Sequence, residues 1–224
     1  MTLSHGSPAI VITGLQFFAD AANTGSSATT WVERGPYAYS GTWTVAPTYS
    51  PLWVTTTTNY VQFGVLPQFD FGTSDFSINF WINPTQWVNG TNNSVGVIGK
   101  KTSDATNGWQ IYHNTIINTT NMVVRLTLSN DFPSVTNVLV GGWQMWTLTR
   151  SGTTFSWWYN SVLDSSTTAS YNLADNTAGM NICYAQTWGG TYPGSISVVQ
   201  IYNYALAAGQ ISQNFNAHRG RFGI

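Results

Sequence analysis

The sequence predicts an all-β protein, two antiparallel sheets stacked as a sandwich with one short helix near the carboxyl end. Three observations predict it. Trp146 and Leu148 stand two apart, a break at Ser151-Gly152 follows, and Phe155, Trp157 and Tyr159 again stand two apart. Strand side chains alternate between faces, so each run sets large apolar groups on one side of a sheet. The break is short enough for a hairpin. Clusters of turn-forming residues recur roughly every ten residues, the spacing of sandwich strands. Helical spacing stands out only at Ile211 and Phe215, four apart and therefore on one helix face.

Taken in order, residues 1–9 are polar and read as a flexible amino-terminal arm, and 10–224 as a single domain. Ala9 to Phe18 reads as a strand. Short strands are expected around Tyr37 to Val45 and Leu52 to Thr55. In Tyr60 to Leu66 the residues Val61, Phe63 and Val65 oppose Tyr60, Gln62 and Gly64, a half-buried strand. Ser77 to Ile82 is a core strand expected to stop at Asn83-Pro84, because proline cannot continue a sheet interior. Thr85 to Ser94 reads as a loop. Val95 to Lys100, Gly108 to His113, Met122 to Ser129 and Val135 to Val140 are further strands, followed by the hairpin. The helix after Leu206 has no capping side chain, and Gly209 costs up to about 1 kcal/mol against alanine, so packing must hold it. His218, Arg219 and Arg221 suit a helix carboxyl end, with Gly220 expected as the left-handed cap.

Composition narrows the function. Asp, Glu, Lys and Arg make up 7% of 224 residues and the net charge is −1, against about 25% charged residues in ordinary domains. Binding nucleic acid through its phosphates needs clustered Lys and Arg, which seven dispersed basic residues do not supply. No run approaches the roughly 18 apolar residues of a membrane span. No basic and apolar leader with a cleavage site is evident, so synthesis in a cytoplasm is expected. The lone Cys183, inside an apolar stretch, reads as a core filler. A surface solvated by hydroxyls and amides repels its own copies weakly, which favours association.

Four blocks resemble one family. Trp143 to Gly152 and Phe155 to Leu163 are similar to paired strands of the laminin-G-like, concanavalin A-like jelly roll. Phe69 to Ile82 resembles its early core strand, and Gly194 to Leu206 its last strand. Gly14 to Asn23, with Thr29-Thr30-Trp31, resembles the first strand of versions from tailed bacteriophages. The resemblance spans residues 10 to 218 and implies a jelly-roll sandwich. It also implies a non-enzymatic virion structural protein, a capsid decoration or tail-associated component. Such a protein would be located in the virion, form a homo-oligomer, contact other virion proteins and have a host surface glycan as a further partner. The alternatives are a free-standing carbohydrate-binding lectin module and a polysaccharide lyase or hydrolase.

Candidate site residues follow from that choice. A glycoside hydrolase needs two carboxylates flanking one bond, and the family's hydrolases set them two residues apart on a strand. Glu33 is the single glutamate and no two acids stand two apart, so no catalytic residue is assigned. The lyase-like Gln110-Ile111-Tyr112-His113 places His113 on the opposite strand face from the position required. Calcium is admitted by the resemblance, through loop aspartates such as Asp131, Asp70 with Asp75, or Asp104 with Asn107, but none has committed spacing. No cofactor or ligand set is assigned, and Asp131 reads as a turn former. For sugar, the candidates are Trp188 and Tyr192 in one turn-rich loop and Trp87 and Asn89 in another. The competing reading is that these aromatics close the core or lie in a subunit interface.

Overall fold

A computed structural model describes residues 9–22, 27, 29–86, 94–114, 120–175 and 177–224. Strands β1 (Leu15–Asp20), β2 (Thr30–Val32), β3 (Ser40–Trp43), β4 (Thr48–Tyr49), β5 (Val54–Thr56) and β6 (Val61–Gln62) open the chain. The long strands β7 (Phe76–Pro84), β8 (Ser94–Lys100), β9 (Trp109–Asn114), β10 (Asn121–Arg125) and β11 (Asp131–Asn137) follow. Then come β12 (Gln144–Ser151), β13 (Thr154–Tyr159), β14 (Val162–Thr168), β15 (Asn181–Ile182), β16 (Tyr184–Ala185), β17 (Gly190–Thr191) and β18 (Gly194–Tyr202). Helix α1 (Ala208–His218) ends the regular structure, with a 3-10 turn over Arg219–Phe222.

Among the described residues these strands form two eight-stranded antiparallel sheets. The first runs β14-β13-β12-β7-β18-β5-β4, with β1 also paired to β18; the second runs β11-β10-β9-β8-β15-β6-β3-β2. The predicted hairpin is β12–β13, with Trp146 opposite Tyr159, Leu148 opposite Trp157 and Arg150 opposite Phe155. Gly152 takes φ 58° in its two-residue turn, a conformation open to glycine without steric cost. Phe76, Ile78, Phe80, Trp146, Leu148, Phe155 and Trp157 of the first sheet meet Val97, Trp109, Ile111, Met122 and Val124 of the second. This is the sandwich core.

The outer face of the first sheet is buried too, which is why β7 has no exposed side. Trp81, Met145, Val198 and Tyr202 form a second apolar layer under α1 with Ile211. Trp81 stacks on Phe215 at 5.5 Å and lies 4.6 Å from Phe222. Packing does hold this helix: Ala207 offers no capping side chain, although Gln210 Oε1 accepts the Ala207 N–H at 3.0 Å. The left-handed residue is Gly223 (φ 73°), not Gly220, because a 3-10 turn extends the helix end.

His218 lies in this layer, 6% exposed, and burial, helped by nearby Arg221 and opposed by Asp20, pulls its pKa down to about 4. The imidazole is folded in neutral, while in the unfolded chain it charges near pH 6.5. Its contribution is therefore complete above pH 6.5 and is lost as pH falls toward 4, about 3 kcal/mol in all. Thermal unfolding across this window should show a falling Tm, and a His218→Gln variant a flatter one. Equal slopes would disprove the assignment.

Other expectations are corrected by the structure. β7 continues through Pro84, which pairs with Gly194 as the strand's last residue. The first strand begins at Leu15 rather than Ala9. Val11 instead ties the chain to α1, donating to Asn214 Oδ1 at 2.8 Å and accepting from the Tyr202 hydroxyl at 3.0 Å. Val65 is 50% exposed, because the chain leaves the sheet after Gln62. β14 lacks an apolar alternation and extends beyond the expected end at Leu163. It is defined by a tight turn in which Asn160 and Ser161 both have positive φ, the geometry that matches strand twist. Ala9 accepts a hydrogen bond from Gln213 Nε2 at 2.7 Å, and residues 1–8 of the expected arm lie outside the described residues.

Candidate functional site

Alternation decides which side chains reach the outer face of the second sheet. Met180, Ile182, Val61, Trp109, Ile111, Met122 and Val124 point into the core, so Asn181, Gln62, Gln110, Tyr112 and Arg125 point away from it. The register aligns them. Thr30, Thr42, Gln62, Asn181, Gly99, Gln110, Arg125 and Asp131 are successive cross-strand neighbours, a polar row over all eight strands.

Over this face lies a small hairpin, β16–β17, carrying Trp188 in its turn. Its backbone rests directly on β8. A Cβ at Gly96 would sit 2.0 Å from Ala185 N, and one at Gly190 would sit 1.9 Å from Ser94 O, so both positions require glycine. Amides fasten it: Asn181 Nδ2 donates to Gln186 Oε1 at 2.9 Å, and Thr187 donates to Gln110 Oε1 at 3.4 Å.

The hairpin presents aromatics along the row. Tyr184 stacks on Tyr60 with centroids 4.1 Å apart and planes 8° apart, and both rings are half-buried. The Tyr184 hydroxyl reaches the turn at Gly189, 3.8 Å from where a Cβ would be. Trp188, half-buried, meets Tyr112 at 4.7 Å, and the Arg125 guanidinium lies 4.3 Å over its ring. Arg125 is fixed in turn by a two-point pair with Asp131 (2.7 and 2.6 Å) and by Asp104 at 2.6 Å. The result is an aromatic strip, Tyr60–Tyr184–Trp188, bordered by the amides of Gln62 and Gln186, with Asn181 buried beneath Gln186.

Of the sequence-predicted site residues, Trp188 reaches this surface. Tyr192 does not: immediately after β17 it turns inward, 1% exposed in the inter-sheet core, and burial drives its pKa far above the usual tyrosine range. Its ring has no face for a sugar. Trp87 and Asn89 lie outside the described residues. Tyr60, Tyr184, Gln62, Gln186 and Arg125 escaped the sequence reading, since nothing local marks them. The one signal was the clustering of Tyr184 and Trp188 about a Gly-Gly turn.

The acids are engaged elsewhere. Asp131 pairs with Arg125 inside β11 rather than forming the expected turn. Asp70 pairs with Lys100, and Asp75 accepts the Gly152 N–H at 2.6 Å. Glu33, 1% exposed, accepts backbone N–H groups of Phe18, Gly35 and Tyr39. Among the described residues no three His, Cys, Asp or Glu side chains converge. Cys183 is fully buried, its thiol pushed up to about 12 by burial, and His113 is 2% exposed, on the opposite strand face from Gln110. A pocket of about 130 Å³ opens beside Leu126, Asn130, Phe132, Thr168 and Tyr171, well short of the roughly 300 Å³ at which ligand pockets begin. No helix among the described residues is long and apolar enough to cross a membrane.

Comparisons with known proteins agree with this architecture. Curated protein sequences give no match. Domain 4 of AbnA, an extracellular GH43 arabinanase from Geobacillus stearothermophilus solved with arabinotriose, superposes with a TM-score of 0.68 at 13% identity, over 89% of this chain and 97% of that one. The Trypanosoma rangeli sialidase does so with 0.67 at 12%, over 96% of this chain but 37% of its own. The binding domain of botulinum neurotoxin DC, solved with rat synaptotagmin II, gives 0.69 at 12%, over 92% and 52%. At such identities the likeness shows the fold. The profile of the concanavalin A-like lectin/glucanases superfamily, in its laminin-G form, matches residues 55–212, and the chain belongs to that superfamily.

Proposed function

We propose that this chain is a non-catalytic, lectin-like module that binds glycan on the outer face of the second sheet. The carrying observation is the aromatic strip of Tyr60, Tyr184 and Trp188 beside a row of amides. Apolar ring faces with a few placed polar groups are what orient a small polar ligand. The aromatics meet the C–H face of a sugar ring, and the amides of Gln62 and Gln186 meet its hydroxyls, with buried Asn181 holding Gln186 in place. A non-catalytic role is supported by the carboxylates of Asp20, Glu33, Asp70, Asp104 and Asp131, which are committed to internal partners. Trp188→Ala and Tyr184→Ala should each weaken glycan binding about tenfold or more, a loss near 1.4 kcal/mol, read by calorimetry on hits from a glycan array. Indifference of binding to both changes would sink the proposed surface.

A second reading, a structural component of a tailed-bacteriophage virion, draws on another observation. Val135, Leu139, Val162 and Leu163 are each more than half exposed, on or beside the edge strands β11 and β14, which the Asp164 carboxylate bridges by accepting Val135 and Thr136 N–H groups. Apolar groups on a charge-poor exterior suit assembly. The two readings are compatible, since a coat protein can adhere to host glycans. Mass spectrometry of purified particles tests the second; particles complete without this chain would remove it.

A further inference from the structure

The placement of every cation bears on what the strip can hold. Lys100 is spent on Asp70 and the Asp175 carbonyl. Lys101, 1% exposed, donates to the carbonyls of Thr106 and Asn107. Arg150 donates to three carbonyls, and Arg221 pairs with Asp20. On the second sheet's outer face Arg125 is the cation beside the strip, and two carboxylates, Asp104 and Asp131, hold it. Buried Lys101 lies within electrostatic range of both acids and of Arg125, so the corner offers no surplus positive charge. The exposed Arg219 sits on the α1 side over Phe215, and Arg34 lies beyond β2, with its backbone N–H bonded to Phe18 of the first sheet.

Among the described residues, then, the strip is flanked by amides and hydroxyls, with no uncommitted cation on its face. Seating a carboxylate or sulfate there would strip its water without supplying a counter-charge, which is unfavourable, because the guanidinium beside the strip is already paired with Asp104 and Asp131. A hydroxyl suffers neither penalty, because amides serve it as donor and acceptor. The stacked Tyr60–Tyr184 pair and Trp188 form two separate platforms joined along one hairpin, so the shape suits a chain running along the strip. Resting on the glycan-binding reading above, we propose that the ligand is a neutral glycan chain, and that uronate, sialylated or sulfated chains are discriminated against.

The test uses the full chain and calorimetry, with neutral pentose and hexose oligosaccharides against uronic-acid oligosaccharides of matched length, at low and high salt. Neutral chains should bind at least about tenfold tighter, with affinity indifferent to salt. A Gln62→Lys variant, which places a cation at an exposed position on the row, should gain uronate binding that salt abolishes. Wild-type protein that binds uronates as well as or better than neutral chains would overturn this inference while leaving the strip as the site. Absence of binding to both classes would overturn the site itself. Matching unfolding transitions exclude a folding defect in the variant.

Discussion

Replacing Arg150 with alanine should destabilise the fold by on the order of 4 kcal/mol. The guanidinium is 2% exposed and reaches three backbone carbonyls, Gly152 at 2.9 Å, Gly72 at 2.8 Å and Tyr171 at 3.0 Å. It also lies 5.1 Å over the Phe155 ring. One side chain thereby joins the β12–β13 turn, the segment before β7 and the segment after β14. Alanine would leave those carbonyls short of donors in a dry setting, each costing about 1–3 kcal/mol, and would open a cavity beside Phe155. Lysine keeps the charge but cannot fork to three acceptors, so Arg150→Lys should recover only part of the loss. Denaturant unfolding measures both, with a lowered midpoint at unchanged slope. A shift within about 0.5 kcal/mol of wild type, the range of ordinary surface substitutions, would contradict the role.

Asp70→Ala is expected to cost a similar amount, about 3–5 kcal/mol, by stranding a buried charge. Lys100 Nζ, its side chain 1% exposed, donates to Asp70 Oδ1 and to the Asp175 carbonyl, both at 2.6 Å. The same Asp70 oxygen accepts the Asp175 N–H at 3.0 Å. Removing the acid leaves an ammonium without its counter-charge, whereas removing both charges does not. The double variant Asp70→Ala/Lys100→Met should therefore be more stable than Asp70→Ala alone. A double-mutant cycle in denaturant separates the pair's coupling from the cost of burial; additive effects would mean the pair is not coupled.

Both predictions fall on one short segment, and they explain why it was readable. Phe69 to Gly72 receives the Trp109 indole N–H on the Phe69 carbonyl at 3.0 Å, Lys100 on Asp70 and Arg150 on Gly72. The sequence blocks that suggested the fold hold those same residues, because this loop needs particular donors at particular places. Period-two alternation likewise gave the hairpin and the core strands, where one face is buried and the other differs from it. The reading failed at the end of β7, which runs on through Pro84, and at β14, where hydroxyls fill both faces.

The candidate site was hardly legible. Trp188 stood out as a loop aromatic, but so did Tyr192, and only one of them reaches solvent. Their fates were settled by partners far away in the chain: Thr187 rests on Gln110, while the Tyr192 N–H goes to the Cys183 carbonyl and carries its ring inward. Tyr60 and Tyr184 became a pair only because β6 and β15 came together.

Taken alone, the amino-acid sequence determined the two-sheet sandwich, its hairpin, the carboxyl-terminal helix and a scarcity of charge. These are set by local alternation, turn chemistry and composition, which need no knowledge of distant contacts. The tertiary structure alone decided the eight-strand polar row, the hairpin laid across it and the pairing of every cation beside the strip. Those depend on strand register, and a slip of one residue would send each of these side chains to the other face.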